Sequence, residues 1–267
     1  MMFKGQDLTN KVVVVTGGSA GLGEQICYEA AKKGAIVVVC ARRINLIGKV
    51  KEMCEEYSGN AAYSFQLDIA DPENVDTVFE KIQAEVGPID VLVNNAGFGI
   101  FENFLDTDLA VARSMFEVNV LGMMVFTQKA ALQMAERGTG HIINIASMAG
   151  KMATAKSTIY SATKFAVLGF SNALRLELRP LGVAVTTVNP GPIKTEFFDK
   201  ADPSGDYLAS VDLFVLEPKP LAKEIVNAMG TFKREINRPR IMEGAYRFYT
   251  LFPHVGDFLA GGLLNKK

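Results

Sequence analysis

Apolar residues follow two rhythms along this chain. Short unbroken runs at Val12–Thr16, Ile36–Cys40, Tyr63–Leu67, Ile89–Val93, Ile142–Ala146 and Val183–Val188 are rich in β-branched residues, and the longer stretches between them repeat an apolar position every three or four residues. The runs predict strands buried on both faces, and the stretches predict amphipathic helices. Alternation of this kind up to Pro190 predicts an α/β fold, a doubly wound parallel sheet built from six βα repeats, because each parallel pair needs a crossover that covers one face. Beyond Pro190 the rhythm loosens. Asp199–Asp206 predicts an exposed loop, a helix is expected to start near Pro220, and the segment from Arg234 reads as an irregular tail rich in aromatics.

With 267 residues, 49% of them hydrophobic, the chain can bury one full core, and no linker or low-complexity segment divides it. A net charge of −1 without long runs of like charge gives no footprint for nucleic acid or for a polybasic membrane contact. The expected partners are small molecules or further copies of the chain. Cys27, Cys40 and Cys54 form no metal or disulfide spacing, which predicts buried thiols in a reducing compartment. The first residues, Met-Met-Phe-Lys-Gly-Gln-Asp, carry no apolar signal stretch, so the expected location is cytoplasmic.

Directly after the first strand comes Thr-Gly-Gly-Ser-Ala-Gly-Leu-Gly, Thr16 to Gly23, opening a helical run to Lys33 that Gly34 would cap. Gly17, Gly21 and Gly23, with Ser19 and Leu22 between them, would let backbone N–H groups approach a pyrophosphate at a helix N-terminus, where the helix dipole favours an anion. A tight turn would use the same glycines. The strand before and the strand after supply the context that favours a dinucleotide. The second strand ends Ala41-Arg42-Arg43, with no acidic residue to accept from a ribose diol. An arginine fork there would bind a 2′-phosphate, so the sequence leans to NADP(H), although such a pair also opens helices in solvent. Asp68 is a candidate acceptor for the adenine amino group; an N-cap near Pro72 is the other reason for acid in that place.

Three polar segments fall at later strand ends: Asn94-Asn95-Ala96-Gly97, Ser147, and Asn189-Pro190-Gly191-Pro192-Ile193-Lys194-Thr195. Each alone is turn chemistry, but at successive carboxyl ends of a parallel sheet they outline a pocket. Two tyrosines sit four residues before a lysine. Tyr28 and Lys32 are predicted on the solvated side of the first helix. Tyr160 and Lys164 share a face of a helix that is apolar nearly all round, so Lys164 should be buried. A buried ammonium beside a phenol of ordinary pKa near 10 makes the phenolate easier to hold, which suits Tyr160 to proton transfer, and Ser147 could bind the same substrate oxygen.

With these residues in order, the chain resembles the short-chain dehydrogenase/reductase family from about Leu8 to Thr195, in the branch with a TGxxxGxG loop. The resemblance implies one Rossmann-fold oxidoreductase domain with a substrate or oligomer region from about residue 195 to 267. It implies Tyr160 as general acid/base, Ser147 orienting a carbonyl or hydroxyl, Lys164 on the nicotinamide ribose, and Asn119 holding a water in a proton relay. Asn119 read alone is a satisfied core asparagine. Ile193 and Thr195 would meet the nicotinamide carboxamide, and Ser19 and Arg42 the 2′-phosphate. Ala20 stands where many NADP-dependent relatives carry a basic residue, and the tail lacks the strand and Val-Asp-Gly-Gly-like stretch that builds a tetramer in many of them.

The expected reaction is hydride transfer between NADP(H) and a carbonyl/alcohol pair. Phe98, Phe101, Met148, Met152, Phe197 and Phe198 predict a lipophilic substrate, unless they only pack the core. A non-catalytic NADPH-binding or scaffold protein is the alternative from another class, and a nucleotide-sugar epimerase would usually need a longer C-terminal region. The tail from Tyr246 to Leu264 is too apolar to lie free. It is expected to pack beside the cleft or across a subunit contact, with a membrane interface as the runner-up.

Overall fold

The computed structural model describes residues 7–152, 154–202 and 215–256. Seven parallel strands form one sheet in the order β3-β2-β1-β4-β5-β6-β7: β1 Val12–Thr16, β2 Ile36–Ala41, β3 Tyr63–Gln66, β4 Val91–Asn94, β5 Gly140–Ile145, β6 Val183–Pro190 and β7 Glu235–Arg238. The chain reverses its winding between β1 and β4, which opens a crevice beyond their carboxyl ends.

Alternation along the strands sorts the core into two layers. Val13, Val15, Val37 and Val39 pack on one side with Ile26 of α1 (Gly21–Ala31), Ile47 of α2 (Ile44–Ser58) and Ile225 of α8 (Pro218–Ala228). Val12, Val14 and Val38 pack on the other side with Ile82 of α3 (Pro72–Glu85), Phe126 of α5 (Met123–Arg137) and Leu178 of α6 (Thr158–Leu178). This is why the strands read as solid apolar runs: neither face meets water. The three cysteines are buried and unpaired, in α1, β2 and α2.

Three expectations change. The tail from Arg234 is not irregular, because β7 adds to β6 with Ile236 opposite Val188, and α9 (Arg240–Leu251) follows. The missing strand of the sequence reading is therefore present. Its Glu-Ile-Asn-Arg sequence lacks a strand's apolar density because Glu235 and Asn237 serve polar partners instead. Residues 199–201 belong to a short helix, α7 (Phe197–Ala201), rather than a loop, and Pro203–Asp206 lie outside the described residues. Tyr28 is half-buried rather than solvated: its ring meets Tyr57 edge-on at 5.6 Å, and its hydroxyl donates to Glu24 at 2.8 Å. Burial and that carboxylate push the Tyr28 phenol up, away from use as an acid near neutral pH.

One helical run, Leu109–Arg137, is long and apolar enough by composition to cross a membrane. Phe126, Ala130 and Met134 in it are fully buried on the sheet, which makes it a core helix. It comprises α4 (Leu109–Phe116), a π-helical segment Glu117–Gly122 and α5.

His141 on β5 is wholly enclosed. The Gly230 N–H donates to its Nδ1 at 3.0 Å, so the ring proton sits on Nε2 and donates to Thr186 Oγ1 at 2.9 Å, and that hydroxyl donates to the Lys233 carbonyl. Desolvation lowers the His141 pKa to about 3. The unfolded chain therefore binds a proton here that the native state refuses. Stability is full above the unfolded pKa near 6.5 and is lost as pH falls towards the folded value, at about 1.4 kcal/mol per unit. Denaturant titrations at pH 7 and 5 should show a loss of roughly 2 kcal/mol in the native chain that His141→Gln lacks. Equal losses would remove His141 as the cause.

Candidate active site

The glycine loop and the Asn-Asn-Ala-Gly turn are stitched together at the crevice. Thr16 Oγ1 accepts from the N–H groups of Asn95 and Ala96, each at 3.1 Å, while Asn95 Nδ2 donates to the carbonyls of Thr16 and Gly17 at the same distance. The latch leaves no room for side chains. A Cβ on Gly17, whose φ is +66°, would lie 2.8 Å from Ala96 Cα, and one on Gly23 would lie 2.4 Å from Asn95 Nδ2. Gly23 thus keeps the latch closed behind the loop, while Gly17, Ser19, Gly21 and Leu22 line the cavity in front of it.

That cavity has a volume of about 700 Å³. At one end it is bounded by Arg42, Arg43 and Asp68, and along its floor by Asn95, Ala96, Gly97, Pro190, Gly191, Ile193 and Thr195. Asp71, not Asp68, caps α3 by accepting from the N–H groups of Glu73 and Asn74. Asp68 accepts from Ala70 N–H and remains on the cavity wall. Arg43, which sequence reasoning ranked behind Arg42, reaches across to Ser19 Oγ at 3.1 Å and to Glu196 at 3.3 Å. The arginine pair itself was the signal for it. The glycine cradle, the cationic end and the long crevice fit a dinucleotide.

Ser147, Tyr160 and Lys164 line the other end. Ser147 caps a short turn, Met148–Gly150, by accepting from Ala149 N–H at 3.1 Å, and its hydroxyl makes only a long contact, 3.4 Å, to the Pro190 carbonyl. That hydroxyl can turn to a substrate oxygen. Tyr160 is 8% exposed, its ring edge-on to Phe101 at 5.4 Å. One helical turn on, the Lys164 ammonium lies 5.6 Å from the Tyr160 ring centroid and donates to the Ile145 carbonyl at 3.0 Å. Lys164 is 6% exposed, and burial lowers its pKa to about 8, so it remains mostly charged at neutral pH.

Asn119 stands behind this group, in the π-helical segment. Its Oδ1 accepts from Phe98 N–H at 3.0 Å, and its Nδ2 donates to the Phe98 carbonyl at 2.8 Å and to Thr163 Oγ1 at 3.2 Å. The side chain therefore fixes the turn after β4 against α6, one residue from Lys164. The widened turn of a π-segment shifts the helix register at this place.

The model of the short chain dehydrogenase family matches residues 11–205. The chain belongs to that family. It is 32% identical over 233 residues to the 3-ketodihydrosphingosine reductase of Bos taurus, covering 84% of this chain and 70% of that one. The L-sorbose reductase of Gluconobacter frateurii, solved with NADPH and L-sorbose, superposes with a TM-score of 0.77 at 29% identity, over 87% of this chain and 97% of the other. The 3-ketoacyl-(acyl-carrier-protein) reductase of Brucella melitensis, solved with NADH, gives 0.78 at 27%, over 88% and 99%. This short-chain dehydrogenase is thus an oxidoreductase of a family that binds nicotinamide cofactors.

The part of the cavity around Tyr160 is largely apolar. Phe98, Phe101, Met148, Met152, Phe197 and Phe198 all line the cavity, joined by Met242 of α9. Sequence reasoning missed Met242 because it lies in the segment read as irregular; the helical spacing Met242, Tyr246, Tyr249 was the available signal. Lys151, next to Met152, pairs with Glu235 of β7 at 2.5 Å and lies 4.9 Å over the Tyr246 ring. The ion pair ties the turn after Ser147 to the edge strand, and the ring contact ties it to α9.

Proposed function

We propose that this dehydrogenase uses NADP(H) to interconvert a carbonyl and an alcohol on a lipophilic small molecule, working chiefly as a reductase. The observation that carries the reading is the meeting of Ser147, Tyr160 and Lys164 in one cavity with an apolar wall on one side and the glycine loop on the other. When bound, NADPH supplies the hydride. Ser147 and Tyr160 hydrogen-bond the carbonyl oxygen, and Tyr160 delivers its phenolic proton to that oxygen as the carbon is reduced. Lys164 holds positive charge beside the ring, which lowers the cost of the phenolate left behind. The phenyl rings around Tyr160 exclude water and present an apolar surface to the substrate body.

The absence of an acidic residue after β2, together with Arg42, Arg43 and Ser19 at the cavity end, supports the phosphorylated cofactor. Arg42→Ala should weaken NADPH binding by about 1.5 to 3 kcal/mol, or roughly ten- to hundredfold, and change NADH binding little. Fluorescence titration with both cofactors checks this. Tighter binding of NADH than NADPH by the native chain would overturn the cofactor assignment. NADPH oxidation over a series of ketones of increasing apolar length tests the reaction, with kcat/KM expected to rise along the series. A folded chain that binds NADPH and oxidises it with none of them would favour the non-catalytic reading.

A further inference from the structure

α9 carries an apolar face that the fold does not use. Its inner side is committed: Met242 lies on Gly191, where a Cβ would come within 2.9 Å of its Sδ, Tyr246 lies over Lys151, and Tyr249 packs on Gly256. At 100° per residue a side roughly a quarter turn round from it presents Ile241, Ala245, Phe248 and then Phe252 as one stripe, with Leu251 at its edge. None of α9 is buried, and Ile241 is 67% and Leu251 73% exposed. Val255, in a further helical turn at 253–256, extends the stripe.

A second apolar projection follows a residue that lines the same cavity. The segment after Phe101, a cavity-lining residue, is pinned at its base by Phe101 N–H to the Ala201 carbonyl at 2.8 Å and Glu102 N–H to the Lys156 carbonyl at 2.9 Å. From that base a single 3-10 turn, Phe104–Asp106, holds out Phe104 at 53% and Leu105 at 94% exposure. Phe101 and Met242 thus both line one cavity, and each is continuous in the chain with side chains that water does not favour.

The geometry points to a phospholipid bilayer surface as the occupant of both projections, with the cleft opening onto the lipid. A second copy seated on both would cap the mouth through which substrate enters. A bilayer covers the same side chains and is itself the reservoir of a lipophilic ketone. One amphipathic helix binds a membrane weakly, and a second point of insertion supplies what it lacks. Arg240 and Arg247 lie along one edge of the stripe, Arg247 paired with Glu243 at 2.6 Å, where their stems can rest on the apolar boundary and their charge suits an anionic lipid surface. The sequence after Gly256 continues with Phe258, Leu259, Leu263 and Leu264, a composition that suits a lipid interface. This reverses the order in which the sequence ranked the covers for the tail. The proposal rests on the carbonyl reductase reading for its substrate, a ketone or alcohol dissolved in the bilayer, but its surface can be tested without that reading.

The test uses the full chain and vesicles of phosphatidylcholine and phosphatidylglycerol in equal parts. The native chain should float with the vesicles, and the pair of exposed changes Phe248→Glu and Leu251→Glu should cut bound protein at least about tenfold, with Leu105→Asp reducing it independently. Thermal melting should stay close to the native chain, because Leu251 and Leu105 are mostly exposed and, among the described residues, the Phe248 ring has a ring contact only with Phe252 of the same stripe, at 5.2 Å. Reduction of a short water-soluble ketone should be unchanged, while reduction of a long-chain ketone presented in vesicles should fall with the binding. Failure of the native chain to float, or equal flotation of the variants, overturns the proposal. So does a shift from dimer or tetramer to monomer in sedimentation of the variants, which would make a second copy the cover. Flotation that the variants lose, in a chain that reduces no ketone, keeps the surface and removes the substrate reading alone.

Discussion

Tyr160→Phe is expected to lower kcat by roughly two to four orders of magnitude, the usual worth of general acid/base catalysis, while NADPH affinity stays close to native. The ring is edge-on to Phe101 and Phe197 packs beside it, so the phenyl ring of the variant keeps the packing and loses only the hydroxyl. Tyr28→Phe is the matched control with the same spacing to a lysine. Its hydroxyl is occupied by Glu24, and its loss should leave kcat within about twofold. Single-turnover measurements with saturating NADPH separate the proton-transfer step from product release. Equal losses in the two variants, or full activity in a folded Tyr160→Phe, would remove Tyr160 from the chemistry.

Lys164→Met should be nearly inactive and should change the pH dependence of stability in a defined window. The folded pKa of Lys164 is about 8 against an ordinary lysine value of 10.5, so below pH 8 both states are protonated and the native state bears the full cost of a buried charge. Between pH 8 and 10.5 only the unfolded chain is protonated, and native stability rises with pH. Relative to Lys164→Met, the native chain should gain up to about 3 kcal/mol across that interval. The comparison is a difference between pH values, so the Ile145 carbonyl left without its donor in the variant cancels. Parallel stability curves would show that the ammonium is not desolvated, and the account of how it assists Tyr160 would fall with it. Catalysis read as kcat/KM should decline above pH 8 in the native enzyme as the ammonium is lost.

The strands were legible because parallel strands buried on both faces leave a solid apolar record, and the burial of Lys164 was legible because its helix is apolar nearly all round. What escaped was information carried by distant partners. Tyr28 is enclosed by Tyr57 from another helix, a contact that periodicity within α1 cannot reveal. β7 hid because Glu235 and Asn237 satisfy Lys151 and Asn189, so a strand was written in polar letters. Met242 belonged to the cleft wall but sat in that same misread segment. Asn119 could be placed only through the order of motifs, since no local pattern announces a π-helical segment or an amide shared between the Phe98 backbone and Thr163.

The four hydrogen bonds between Thr16, Gly17, Asn95 and Ala96 have a thermodynamic consequence. They make the glycine loop and the turn that leads to Phe98 one mechanical unit, and Asn119 carries that unit on to α6, beside Tyr160 and Lys164. Ordering either end lowers the entropy that the other must lose. Cofactor and substrate should then raise each other's affinity by the same factor, since a coupling free energy between two ligands is reciprocal.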